Sequence, residues 1–266
     1  LKEYEDWLLQ RRLSWNTIST YMRTLQAVYN RLSPPGTPEH NPRLFDDVYT
    51  KVKSQIKRAL TEEQMGRLMH ADLDVLSEEL QRVQAYFLLM FLFRGMPFID
   101  LAHLRKRDVK DGKIAYRRHK TGKQITLRIP REALPLLKEF KDKDETSLYL
   151  FPILNAAPEG DDALYECYQK ALRNFNKMLR VLAKRLLPGI KISSYTARHT
   201  WATLAYHIGM PIGIICQALG HSSIRVTETY LKPFENEKVD KANRKLISTI
   251  RKCEGRSIGY FIPYKT

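Results

Sequence analysis

Along most of the chain apolar residues recur every three or four positions, which predicts helices; in two short stretches they alternate, which predicts strands. The opening LKEYEDWLLQRRLSWNTISTYMRTLQAVYNRL holds two helical patterns. Ile18, Met22, Leu25, Tyr29 and Leu32 line one face of the second, Asn16, Thr20, Arg23 and Asn30 the other, and Ser14 stands where an N-cap would. SPPGTPEHNP breaks the pattern, and LTEEQMGRLM restarts it with Thr61 and Gln64 spaced for a capping box. A buried helix then runs through AYFLLMFLF to Phe93, stopped by Gly95, and a short one follows in PFIDLAHL. KIAYRRHK and KQITLRIP alternate, and the Thr-Gly of KTGK between them suits a tight hairpin turn. Helical patterns resume at 132–141 and 163–187, in SSYTARHTWATLAYHIG, PIGIICQAL and IRVTETYL, and in NEKVDKANRKLISTIRK. The pattern predicts a mostly α fold with one small β-sheet (α+β), without internal repeats. A boundary near residue 58, marked by Lys51, Lys53, Lys57 and Arg58, separates a small helical domain, 1–58, from a larger one, 59–266, whose C-terminal tail begins at about 232.

Charge changes this picture. With 45 Lys+Arg against 29 Asp+Glu the formal charge is +16, which favours an acidic polymer as partner, nucleic acid ahead of an anionic membrane. Cys167, Cys216 and Cys253 are odd in number and lack any C-x-x-C spacing, so neither a disulfide framework nor a zinc site is expected. AYFLLMFLF is too short to span a bilayer and no leader opens the chain, which reads as cytoplasmic. It begins at Leu1 without methionine, as a fragment missing its own N-terminal part would.

The chemistry concentrates near the C-terminus. Ala197, Trp201, Leu204, Ala205 and Ile208 mark the buried face of a helix that carries Arg198 and His199 in its first turn. A buried guanidinium needs an offset: a carboxylate, backbone carbonyls, or an anion arriving from outside. Gly209, Pro211 and Gly220 fold three short helices back on one another, which lets Arg198, His221 and Tyr230 converge. A cationic fork for phosphate oxygens, an imidazole donor and a phenol nucleophile are the parts of a phosphoryl-transfer site.

These residues resemble the tyrosine recombinases, or phage-type integrases, whose pattern is Arg, a Lys in a β-hairpin, His-x-x-Arg, Leu-Gly-His and Tyr. ARHTWATLAYHIG, ALGHSSIRVTETYL and HKTGKQITLRIP match it in order, over most of residues 59–235. The N-terminal helices are similar to the family's core-binding (SAM-like) domain, and the rest to its catalytic domain. The resemblance implies strand exchange without metal or high-energy cofactor: Tyr230 attacks a scissile phosphodiester and forms a 3′-phosphotyrosyl link, Arg198 clamps nonbridging oxygens, His221 donates to one, and Lys120 protonates the leaving 5′-oxygen. It implies double-stranded DNA as partner, a monomer when free and a homotetramer on DNA, an accessory DNA-bending protein, a nucleoid location, and a tail that docks on a neighbouring protomer.

Two positions depart from the pattern. Aligning RGMPFIDLAHL with the family's Thr-Gly-x-Arg-x-x-Glu-Leu box puts Pro97 at the first arginine; Arg94, about one turn earlier, is the candidate replacement, with capping of helix carbonyls as its alternative. Tyr195 occupies the histidine of His-x-x-Arg, either as a phosphate or Arg198 contact or as a packed aromatic. Arg23, Thr20, Lys51, Lys53 and Lys123 are candidate DNA contacts, although such charges are as often simply solvated. Three functions fit: the integrase of a mobile element; a chromosome-dimer resolvase or type IB topoisomerase-like enzyme; and a catalytically weak DNA-binding protein.

Overall fold

The computed structural model describes residues 1–51, 59–71, 76–154, 160–231, 233–234 and 236–253. The chain divides into two units, Leu1–Ile56 and Lys57–Thr266.

In the first unit, α1 (Lys2–Gln10) precedes α2 (Trp15–Leu32), and the Ser14 hydroxyl accepts the Thr17 N–H to cap α2. Leu8, Ile18, Met22, Phe45 and Val48 form its core. Glu5 is buried because its carboxylate accepts the Tyr49 N–H at 2.6 Å, tying α1 to the segment that carries Phe45 and Val48. The apolar face of α2 is covered only in part: Leu25 is 38 % and Leu32 78 % exposed. At about 100° per residue both fall on one edge of the stripe, while Tyr29 lies under the Phe45 and His40 rings.

The second unit opens with α3 (Glu62–Met69), closed by the Thr61/Gln64 capping box. Next is α4 (Glu78–Leu92), which contains most of AYFLLMFLF and is enclosed by α6 (Ala133–Phe140), α7 (Asp161–Leu186) and α8 (Ser194–His207). Between α4 and α6 lie α5 (Phe98–Ala102) and an antiparallel sheet of β1 (Val109–Lys110), β2 (Lys113–Arg117) and β3 (Gln124–Arg128) in that order. Ile114 pairs with Leu127 and Tyr116 with Ile125, so the alternating apolar residues all face the core. The strand β1 adds to the two expected ones; two residues are too few to show a period.

The chain continues through α9 (Ile212–Leu219), α10 (Ile224–Glu228) and α11 (Asn236–Cys253). Helix α10 ends before Tyr230, which sits in a turn with its N–H on the Thr227 carbonyl at 2.9 Å. The buried face of α8 differs from the expected one: Ile208 is 73 % exposed, and Trp201 and Leu204 are only partly covered. Ala197 and Ala205 are buried as expected, and Thr196, Thr200, Ala202 and Thr203 take the place of the larger residues. Small residues on several sides let α4 and α9 approach closely, and the Thr200 hydroxyl accepts the Leu60 N–H at 3.0 Å.

Candidate active site

The site is built on the first turn of α8. The Asn176 side chain on α7 accepts the Ser194 N–H at 2.8 Å, and the Thr196 hydroxyl accepts the Ser193 N–H at 2.9 Å, which fixes where α8 begins. One turn on, Arg198 enters the interior, 2 % exposed. Its Nη1 donates to the Gly95 carbonyl at 2.8 Å, and its Nη2 to the Leu219 carbonyl at 2.6 Å and to His221 Nε2 at 2.9 Å. Of the three possible offsets for this charge, backbone carbonyls are present on both of its terminal nitrogens. Gly95 makes the approach possible, since a Cβ there would lie 3.0 Å from the Arg198 Cα. Leu219 closes α9 at the negative end of its dipole, and Gly220 follows with φ +66°, a left-handed C-terminal turn.

A second guanidinium shares the Leu219 carbonyl. Arg118, just beyond β2, donates Nη1 to it at 3.0 Å and to the Gly220 carbonyl at 3.3 Å, and its Nε lies 3.6 Å from the Asp100 carboxylate. Asp100, on α5, also accepts the His119 N–H at 2.9 Å, so it anchors the start of the β2–β3 turn. Burial pushes the Asp100 carboxyl up, and the His119 N–H and Arg118 oppose the shift. Sequence reasoning did not single out Arg118, yet the signal was present. The alternation that turns Ile114 and Tyr116 inward does the same for the residue two further on.

His221 is buried between these cations. Arg198 can only donate, so Nε2 accepts and Nδ1–H donates to the Thr227 hydroxyl at 2.9 Å. Burial first, then Arg198, Arg118 and Lys120, lower the imidazole pKa to about 3, and the ring is neutral near pH 7. The half-buried Tyr230 ring lies 4.9 Å from His221 and 4.7 Å from His199, with the Arg198 guanidinium carbon 5.6 Å from its centre. The Thr203 hydroxyl and His199 Nδ1–H donate to the Tyr230 carbonyl at 3.2 and 3.4 Å, so α8 holds the turn that carries the phenol. Tyr195 is half exposed; burial, and then the adjoining Tyr230 phenol, push its own phenol up.

Arg198, His221, Tyr230 and Tyr195 are thus together. Lys120 and Lys123 lie exposed in the β2–β3 turn, with charges felt at His221. Arg94 is half-buried with φ +60°, and its charge acts on Tyr116; the guanidinium placed beside Arg198 is that of Arg118. Pro97 starts α5, and a cavity of about 140 Å³ lies among Pro97, Phe98, Tyr168, Tyr195 and Arg198. In the first unit, Thr20 Oγ1 donates to the Asn16 carbonyl at 2.8 Å, Arg23 Nε to the Ser19 carbonyl at 3.3 Å, and Lys51 is exposed. Lys53 lies outside the described residues. On α7, Lys170, Arg173, Lys177, Arg180 and Lys184 form an exposed stripe at alternating steps of three and four, which the sequence reading passed over.

A model of the phage integrase family matches residues 58–237, well over half of the chain. The chain belongs to the phage integrase family. Members named tyrosine recombinases cleave and rejoin DNA strands, and this integrase-family chain is an enzyme of that class, a site-specific recombinase. It is 28 % identical over 247 residues to the tyrosine recombinase XerA of Pyrococcus furiosus, covering 89 % of this chain and 78 % of the relative. Its fold is similar to that of the Tn1549 transposon integrase in complex with circular intermediate DNA, with a TM-score of 0.59 at 18 % identity, covering 92 % and 84 % of the two chains. It is also similar to the lambda integrase in a tetramer bound to a Holliday junction, with a TM-score of 0.52 at 15 % identity, covering 79 % and 58 %. Among the described residues no helix of this recombinase is long and apolar enough to cross a membrane.

Proposed function

We propose that this recombinase serves a mobile element and joins DNA through Tyr230. The observation that carries its chemistry is the gathering of Arg198, Arg118, His221 and Tyr230 around the carbonyl that ends α9. The Tyr230 oxygen gives up its proton to water and attacks the scissile phosphorus, a tyrosyl P–O bond forms, and the P–O5′ bond breaks. Lys120 supplies the proton that makes the departing oxygen a 5′-hydroxyl. A 5′-hydroxyl from a partner duplex reverses the step, so the bond energy is retained. The transition state spreads charge over the nonbridging oxygens, and donors already in place stabilise it more than the ground state. Arg198 retains a buried Nε–H with no hydrogen-bond partner among the described residues, a donor available to such an oxygen.

Arg118 takes the role for which Arg94 was the first candidate. It reaches the site from the end of β2, where its Nε lies 3.6 Å from the Asp100 carboxylate of α5. In this reading the first unit is the core-binding domain, with Arg23, Thr20, Lys51 and Lys53 toward DNA. The second unit is catalytic, Lys123 and the α7 stripe meet phosphates, and four copies act on two duplexes, as in the lambda integrase assembly. A second reading, a resolvase of the Xer type, is supported by the relative named XerA.

The test is a pool of nicked duplexes with randomised sequence, separated on a denaturing gel after incubation with the protein. A covalent protein–DNA band that vanishes in Tyr230→Phe is expected, and sequencing the captured DNA separates element ends from a chromosomal site. Arg118→Ala is expected to slow adduct formation about 100-fold or more with DNA affinity within about threefold, while Arg94→Ala stays near wild type. Binding without any adduct leaves a DNA-binding protein, and the reverse ranking of the two arginines returns the role to Arg94.

A further inference from the structure

His221 faces a contradiction. Donation to a phosphate oxygen needs a proton on Nε2, but Nε2 is 2.9 Å from an Arg198 nitrogen that can only donate. In the free protein the proton is on Nδ1, given to the Thr227 hydroxyl at 2.9 Å. Gaining charge does not resolve this, because the ring is buried, an Arg198 nitrogen lies 2.9 Å from Nε2, and Arg118 shares the Leu219 carbonyl with that guanidinium. The remaining variable is which nitrogen carries the one proton.

We propose that Thr227 is a positioning residue that lets His221 exchange tautomers when a phosphate enters the site. A hydroxyl both donates and accepts, so it pairs with Nδ1 in either state. Without phosphate, Nδ1–H donates to the Thr227 oxygen and Nε2 accepts from Arg198. With phosphate, the Thr227 O–H donates to Nδ1, Nε2–H donates to a nonbridging oxygen, and the released Arg198 N–H turns to the same anion. One N–H bond breaks at Nδ1 and one forms at Nε2, the protons exchange with water, and the charge of the ring is unchanged. Thr227 is fully buried and its own carbonyl accepts the Tyr230 N–H at 2.9 Å, so a single residue sets both the imidazole proton and the turn bearing the phenol. The proposal rests on the recombinase reading of this site.

The experiment uses the full chain with ring-15N histidine, inorganic phosphate as probe, and His221→Gln to assign the signal. Wild type is expected to hold the proton on Nδ1 and to transfer it to Nε2 as phosphate saturates. Thr227→Val, close in shape but without the hydroxyl, is expected to show the same tautomer with and without phosphate, and Thr227→Ser to restore the exchange. On the nicked-duplex pool Thr227→Val is expected to slow adduct formation by about tenfold to 100-fold with DNA affinity within about threefold, and Thr227→Ser to recover it. Thr227→Ala repeats the test should the valine variant not fold. A wild-type proton already on Nε2 without phosphate, or a valine variant that exchanges tautomers as wild type does, overturns the proposal. If wild type forms no adduct the recombinase reading fails, and the phosphate titration still decides the tautomer.

Discussion

Arg198 and Arg118 hold the same Leu219 oxygen, at 2.6 and 3.0 Å, so two like charges are kept side by side at a helix end, with the buried Asp100 carboxylate 3.6 Å from Arg118. His221 completes this arrangement by staying neutral. Its folded pKa of about 3 lies below the 6.5 of an unperturbed imidazole, so the unfolded chain binds the proton first as pH falls. The stability this group contributes is full above about 6.5 and is lost as pH falls toward 3, at up to about 1.4 kcal/mol per pH unit. Urea unfolding between pH 7 and 5 is expected to show that slope reduced in His221→Gln; identical slopes would mean that the ring is not held neutral. At this scale Arg198, His221 and Tyr230 were legible because their spacing is fixed by short helices and glycine turns. Thr227 was not, since its importance depends on which ring nitrogen turns toward it.

At the scale of elements, Gly95 shows how a loop shapes the site. It has φ +68°, and an added Cβ would press on the Arg198 backbone at 3.0 Å and on the Leu219 side chain at 3.4 Å. Gly112 has the same φ of +68° but opens onto empty space. Alanine at either position brings backbone strain of about 1–3 kcal/mol. Only Gly95→Ala is expected to displace Arg198 and abolish adduct formation, whereas Gly112→Ala should melt earlier yet cleave normally. Comparing melting temperatures with adduct yields checks this, and equal yields would show that the close approach at Gly95 is dispensable. Most helices were readable from apolar spacing because each has one covered side. The buried set of α8 was readable only at Ala197 and Ala205, because a helix covered on several sides by alanines and threonines presents no single stripe. The end of α10 was also missed: Tyr230 continues the apolar spacing but leaves the helix.

At the scale of the molecule the two units differ in what they can bury. The first has a core of Leu8, Ile18, Met22, Phe45 and Val48, whereas the second surrounds α4 with the side chains of three further helices and a sheet. A fragment of residues 57–266 is therefore expected to unfold in a single cooperative thermal transition, and residues 1–56 alone to be marginal. Calorimetry of the two pieces measures it, and a broad, non-cooperative transition for the larger one would contradict this division. Net charge pointed to an acidic polymer from the composition alone, but which cations line up, as on α7, emerged only with helical phase.

The bonds that hold Arg198 to Gly95 and Arg118 to Leu219 join residues 103 and 101 positions apart. Such contacts form only after long loops have closed, late on any folding route. During synthesis the ribosome releases the hairpin well before α8 and α9 exist, so the incomplete chain carries cations but no assembled centre. If Tyr230 is the nucleophile, as proposed above, the chain gains the means to cut DNA only when that residue has emerged and the larger unit has closed around it. On the same reading, a product terminated anywhere before that point is expected to bind DNA without cutting it.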